Sequence, residues 1–111
     1  MYKVLCISCH PDDMEISCGG TLLKCLKRGD DVTVCHVANG DMGHVVIMPE
    51  ELRVIRAEEA QNAGKLGGLK IVTCDIGDLR VNGSDRAQID TLVKIIRDAD
   101  PDLIITHAPN D

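Results

Sequence analysis

The stretch Val4-Leu5-Cys6-Ile7-Ser8-Cys9-His10-Pro11-Asp12-Asp13-Met14-Glu15-Ile16-Ser17-Cys18-Gly19-Gly20-Thr21 runs from an apolar, strand-like segment into a polar cluster. An amphipathic segment, Leu22 to Arg28, follows it. One imidazole and two adjacent carboxylates therefore stand where a strand ends and a helix begins. In open α/β folds, ligands bind at that edge of the sheet, outside the carboxyl ends of the strands. His10 and Asp13 are one turn apart and can converge on a single metal ion. Both are ordinary zinc ligands, and a catalytic zinc keeps one position open for water. Asp12, between them, is then free to act on that water. A second reading stands beside this one. Asp is a favoured helix N-cap, and acids are stabilised at a helix N-terminus by the macrodipole, so the pair can be read as capping. Pro11 fixes φ and stiffens the exit from the strand. Gly19-Gly20, poor helix formers, point to close approach of the backbone to something.

Outward from this stretch, apolar runs alternate with helical patterns. Lys3 to Ser8 reads as the first strand, and the first helix ends at Arg28-Gly29, a basic turn followed by glycine. Val32 to Val37 is a β-branched second strand, and Asn39-Gly40-Asp41-Met42-Gly43 is a turn-rich loop. Pro49-Glu50-Glu51 starts a second helix, on which Leu52, Ile55, Ala60, Ala63 and Leu66 form one apolar stripe before Gly67-Gly68. Leu69 to Cys74 is the third strand, and a polar loop holding Asp78 follows. Ile89, Leu92, Val93 and Ile96 mark the inner face of a third helix that Pro101 ends, and Leu103 to Thr106 is the fourth strand. This alternation predicts right-handed βαβ crossovers and an α/β, Rossmann-like three-layer fold with a parallel sheet. With the strand order 3-2-1-4, the first and fourth strands are neighbours whose connections leave in opposite directions. The segments His10 to Asp13 and His107 to Asp111 then meet at that switch point.

Composition narrows the function classes. The chain of 111 residues has one Tyr, no Phe or Trp, and a net charge of −6. A chain of this length buries about 65% of its unfolded surface, enough for an aliphatic core without staples. The scarcity of aromatics argues against stacking on single-stranded nucleic acid, and the negative charge argues against a phosphate backbone as partner. No apolar run is long enough to span a bilayer, and the N-terminus shows no secretory pattern, so a cytoplasmic location and no membrane contact are expected. The six cysteines then read as free thiols, mostly small buried hydrophobes. Cys6-Ile7-Ser8-Cys9-His10 matches a haem-attachment pattern, which is set aside because Cys6 falls inside a strand and no export signal is seen. Uncovered sheet edges predict self-association, hence a homo-oligomer.

His10-Pro11-Asp12-Asp13 followed by Gly19-Gly20-Thr21-Leu22 resembles the opening motif of the PIG-L/LmbE-like family of zinc-dependent N-acetylglucosaminyl deacetylases. Arg56-Ala57-Glu58-Glu59-Ala60, Ile76-Gly77-Asp78 and Thr106-His107-Ala108-Pro109-Asn110-Asp111 are similar to further family segments. The resemblance covers the whole chain, which makes residues 1–111 a single domain that is the N-terminal part of such a deacetylase. It implies Zn2+, or another divalent metal, on His10 and Asp13, with Asp12 as general base. It implies a small N-acetylated sugar as substrate, contacted by Arg56, Asp41 and Asp78. In the family, the Asn-Asp segment leads into a His-x-Asp-His motif that carries a third zinc ligand, and the sequence stops before it. His107 offers a substitute ligand or, as a strand-end histidine, a partner for backbone. His36 reads as structural, and His44 receives no role. The chain alone is expected to be nearly inactive. The alternative is a non-catalytic α/β module that binds a metal or small ligand with an incomplete site. Nucleotide binding is disfavoured, because no Gly-x-Gly-x-x-Gly follows the first strand.

Overall fold

Apolar β-branched runs punctuated by helix-ending glycines set the observed order of elements. In the computed structural model, which describes residues 1–110, these are β1 (Lys3–Ser8), α1 (Asp13–Arg28), β2 (Asp31–Ala38), α2 (Pro49–Gly67), β3 (Lys70–Ile76), α3 (Arg86–Ala99) and β4 (Leu103–Thr106). The four strands form one parallel sheet in the order β3-β2-β1-β4, the expected topology. Asp111 lies outside the described residues, so the expectation placed on it is left there.

Side chains alternate across the sheet, and the two faces meet different helices. Val4 and Cys6 of β1 and Val32 and Val34 of β2 pack with Met14, Leu22 and Cys25 of α1 in one buried cluster. Ile71 and Leu69 extend that cluster toward α2, and Ile105 extends it toward β4. Burying such side chains contributes about 1.5–3 kcal/mol each. The opposite face of the sheet is covered by α3, which has no fully buried residue; Ile95 lines a cavity there together with Val72 and Thr33.

Two expectations are corrected. Gly19 and Gly20 do not mark a close approach: a Cβ on Gly20 would meet nothing within 4 Å, and one on Gly19 only the Met14 carbonyl at 3.8 Å. Both lie inside α1, just past Cys18, whose φ of −146° bends the helix, and the burial of Met14, Leu22 and Cys25 carries them along. The stripe on α2 also ends differently. Leu52 is buried, but Leu66 is 92% exposed and Ala63 is exposed. Gly64 is the buried contact instead, and any Cβ there would collide with the Ile71 side chain and stand 3.1 Å from the Leu69 carbonyl. A glycine on the inner face lets α2 approach β3 closely, and no hydropathy pattern reports that.

Among the described residues, no helix is long and apolar enough to cross a membrane. All six cysteines are free thiols. Burial and the neighbouring Cys18 push the Cys6 thiol up to about 12, consistent with an inert core residue.

Candidate active site

The turn between β1 and α1 holds its shape through local bonds. The Asp13 N–H donates to the His10 carbonyl at 3.2 Å, and Asp13 Oδ2 accepts the His10 N–H at 2.9 Å. Asp12 occupies the N-cap position of α1, but its side chain makes no capping hydrogen bond, and the residue is exposed. The capping reading of this acid therefore finds no bond to support it. His10 Nδ1 stands 3.5 Å from Asp13 Oδ2. Those two side chains face each other, as sharing an ion requires.

A histidine from β4 and a thiol stand beside the turn. His107, at the end of β4, accepts the Cys9 N–H on Nε2 at 3.0 Å and lies 3.7 Å from Asp13 Oδ2. The backbone partner expected of a strand-end histidine is present, and the β1 and β4 ends do meet at the switch point. Cys9 Sγ is 3.8 Å from His10 Nε2. Read from sequence, Cys9 was one thiol among six; the structure sets it, half-buried, in the only described group of His, Cys, Asp or Glu side chains with metal-holding spacing, Cys9–His10–Asp13. Burial first, then the charges of Asp13 and Asp78, push its thiol up.

The donor set fits such an ion. Nitrogen and oxygen ligands at about 2.0–2.2 Å from a tetrahedral zinc stand roughly 3.3–3.5 Å from each other. The Nδ1–Oδ2 separation of 3.5 Å matches this without rearrangement.

The loops after β2 and β3 bring the remaining candidates to the same side. Asp78 Oδ1 accepts the Gly40 N–H at 3.0 Å and Oδ2 accepts the Met42 N–H at 3.1 Å, while Asp41 Oδ1 accepts the Asp78 N–H at 2.9 Å. The two acids thus tie the two loops together. Asp78 also places Oδ1 3.6 Å from His10 Nε2, and its side chain is 10% exposed. Arg56 leans from α2 onto the first of these loops. A Cβ on Gly40 would strike its Nε and lie 2.9 Å from Cδ, and one on Gly43 would lie 3.3 Å from Nη1. Gly40 also has φ +76°, so both backbone and space ask for glycine there. His10, Asp12, Gly40, Met42, Arg56 and Asp78 line one open cleft of about 440 Å³.

Asp41 is not among the residues lining that cleft; it braces the turn behind, close to Gly77. The cleft opens over β1, β2 and β3, whereas a separate cavity of about 310 Å³ on the β4 side contacts Asp13 and His107. Ser8 Oγ, buried in that second cavity's wall, has no partner among the described residues. His36 is 3% exposed beneath the site, as a structural residue should be, and burial pulls its imidazole below the ordinary value. His44 Nδ1 accepts the Val46 and Ile47 N–H groups and shapes its own loop. Cys9, Gly40 and the Asp41–Asp78 tie were not legible in sequence. A glycine in a turn and an acid in a loop have many uses, and only the partner across the fold selects one.

Comparison with known proteins gives a consistent picture. The model of the family PIG-L, GlcNAc-PI de-N-acetylase, matches residues 5–111. Diacetylchitobiose deacetylase of Thermococcus kodakarensis is 33% identical over 110 residues, covering 96% of this chain and 41% of that protein. Among solved structures, N,N'-diacetylchitobiose deacetylase from Pyrococcus horikoshii superposes with a TM-score of 0.83 at 34% identity, over 93% of this chain and 40% of the other. A 4-carboxy-2-hydroxymuconate hydratase from Pseudomonas putida reaches a TM-score of 0.85 at 22% identity, over 100% of this chain and 50% of the other, which is a likeness of fold alone. The chain thus spans less than half the length of the curated deacetylase it matches.

Proposed function

The chain belongs to the PIG-L family, GlcNAc-PI de-N-acetylase, and from that premise we propose that residues 1–111 are the N-terminal part of a metal-dependent N-deacetylase domain. The reaction is hydrolysis of a linear amide: removal of the acetyl group from an N-acetylglucosaminyl compound or a related amide. The observation that carries this reading is the pairing in one turn of a His10–Asp13 grip, 3.5 Å across, with an exposed, uncapped Asp12. The deacetylase relatives on both the sequence and the structure side support it.

His10 and Asp13 hold the ion, zinc or another divalent metal. Bound there, the metal supplies Lewis acidity toward the amide carbonyl and toward a water. Asp12 takes a proton from the attacking water and returns it to the amide nitrogen as the C–N bond breaks. The two neighbouring acids differ in duty because Asp13 faces His10, where the ion would be held, while Asp12 is turned to solvent. Arg56, held against Gly40 and Gly43 in the same cleft, offers N–H donors to the sugar. The family resemblance assigns Asp41 and Asp78 to the sugar as well. Their hydrogen bonds favour a bracing part for both, with Asp78 at the cleft wall. A non-catalytic binding module would need the metal grip but no exposed acid beside it; Asp12 favours the hydrolase.

The same proposal places the activity in the cytoplasm. It also includes self-association into a homo-oligomer. The test is acetate release from N-acetylglucosamine derivatives, with zinc per chain measured in parallel. It is run on this chain and on a protein extended to the length of its relatives. Turnover is expected from the extended protein and little from residues 1–111. Brisk turnover by residues 1–111 overturns the partial-domain reading, and none from either protein overturns the hydrolase.

A further inference from the structure

We propose that Cys35 and Cys74 form a peroxide-sensitive dithiol, whose oxidation to a disulfide fastens β2 to β3 below the loops that carry Asp41 and Asp78. The inference stands apart from the metal grip and from the hydrolase reading.

Free thiols in a reducing compartment rest reduced, and a disulfide made there is a transient, sensing one. Two of the thiols meet across neighbouring strands: Cys35 Sγ of β2 lies 4.0 Å from Cys74 Sγ of β3. The contact sits at a break in the ladder. His36 pairs with Thr73 and Ala38 with Ile76, so Val37 alone stands opposite both Cys74 and Asp75. Asp75 takes a positive φ of 53° at that bulge. An extra residue in one strand re-aims a side chain and leaves backbone unpaired. The Thr73 hydroxyl bridges the gap, donating to the His36 carbonyl at 3.0 Å and accepting the Asp75 N–H at 2.9 Å. A disulfide needs about 2.05 Å between its sulfurs. A bulge held by a side-chain hydroxyl is where β3 has the freedom to close that distance.

The two thiols are unequal. Cys35 is fully buried, whereas Cys74 is half-buried. The hydrogen bond between the sulfurs, and then burial, push the Cys35 thiol up, while the same bond pulls the Cys74 thiol below its ordinary value. The thiolate is the nucleophile, so Cys74 reacts first. Its sulfur attacks one oxygen of hydrogen peroxide: an S–O bond forms, the O–O bond breaks, and the other oxygen leaves as water with the thiol proton. The Cys35 sulfur then attacks the sulfenic acid. An S–S bond forms, the S–O bond breaks, and the Cys35 proton leaves with that oxygen as a second water. The sulfurs lose two electrons and the peroxide gains them. Immediately past the pair, the Asn39 N–H donates to the Ile76 carbonyl at 2.8 Å, and Asn39 Nδ2 donates to Asp75 Oδ1 at 3.1 Å. The loops with Asp41 and Asp78 leave from there, so the new bond fastens both at their roots.

The first measurement needs no variant. The folded, reduced chain is treated with an equimolar amount of hydrogen peroxide and its peptides are mapped. Cys35 is expected joined to Cys74, with the loss of two hydrogens in mass and of two titratable thiols, both reversed by dithiothreitol. A first linkage at Cys6–Cys18, where the sulfurs are 3.8 Å apart, overturns the proposal, as does the absence of any linkage. In Cys35→Ala, dimedone is expected to capture Cys74 as a sulfenic acid; capture of Cys35 in Cys74→Ser overturns the order of attack. Mapping of the unaltered chain decides the pairing even where a variant fails to fold. The two cysteines are 39 residues apart, and a bond that fits the fold constrains the unfolded chain. The urea midpoint of the oxidised chain is therefore expected above that of the reduced one. An unchanged or lower midpoint means that the native strands do not accommodate the bond, and overturns the fastening.

Discussion

In the turn after β1, Asp12 is exposed and makes no capping hydrogen bond, whereas in the loops after β2 and β3 the carboxylates of Asp41 and Asp78 are taken up by backbone N–H groups. All are aspartates in polar loops at the same edge of one sheet. The difference lies in what surrounds them. The first turn is short and stiffened by Pro11, so its own backbone closes it and one acid is left over. The other two loops are longer and would be free to separate; their acids bridge them. A carboxylate that must act on a substrate needs unused lone pairs, and one that must brace a wall needs them filled.

The contrast can be broken at several points. The largest effect belongs to His10→Ala, which should abolish metal uptake measured as zinc per chain; retained uptake would move the grip elsewhere. Asp12→Asn should leave zinc content unchanged and lower acetate release by the extended protein roughly 10²–10⁴-fold, the range of general-base catalysis. Equal loss of metal in the two variants would erase the distinction between neighbouring acids. On the bracing side, Asp41→Ala leaves the Asp78 N–H without its acceptor. A loss of about 1–3 kcal/mol in urea unfolding is expected, and an unchanged midpoint would show that the loops hold without the tie. Gly40→Ala forces a side chain into φ +76° and against Arg56. It should cost roughly 1–2 kcal/mol of stability from the backbone alone and raise KM more than it lowers kcat, because Arg56 is displaced.

The smallest effect concerns pH. Burial holds the His36 imidazole below its ordinary value, so the unfolded chain binds the proton more readily than the folded one. Stability then rises with pH across that interval: the contribution is present above about pH 6.5, the unfolded value, and is lost as pH falls below it. Unfolding midpoints at a series of pH values, compared with those of His36→Gln, should show a shallower acid loss in the variant.

Much of the scaffold was legible because its signals are local. Strand β4 is read at its observed bounds from Leu103-Ile104-Ile105-Thr106, and the order 3-2-1-4 expected of a mononucleotide-binding half is the one observed. That His10, Asp12 and Asp13 share one turn was legible too, because they are close in sequence and the turn between them has little freedom. Helix faces were less so. Leu66 looks like a core residue from its spacing and is exposed, while Gly64 shows no hydropathy and is the contact that sets how near α2 lies to β3. Gly19-Gly20 look like a site for close approach and are ordinary helix positions past a bend.

The sequence by itself determined a parallel α/β sheet and a first crossover turn that gathers His10, Asp12 and Asp13, and the mononucleotide-binding pattern it resembles put the switch point between β1 and β4. The alternation and the turn depend on residues within one or two turns of chain, and the parallel sheet on a rule of handedness that holds for any such alternation. Only the tertiary structure decided that Asp78 faces His10, that Asp41 and Asp78 join two loops, that Gly40 makes room for Arg56, and that Cys9 borders the site. Those facts are distances between segments far apart in the chain, and a carboxylate or a glycine takes its role from the group that folding sets beside it.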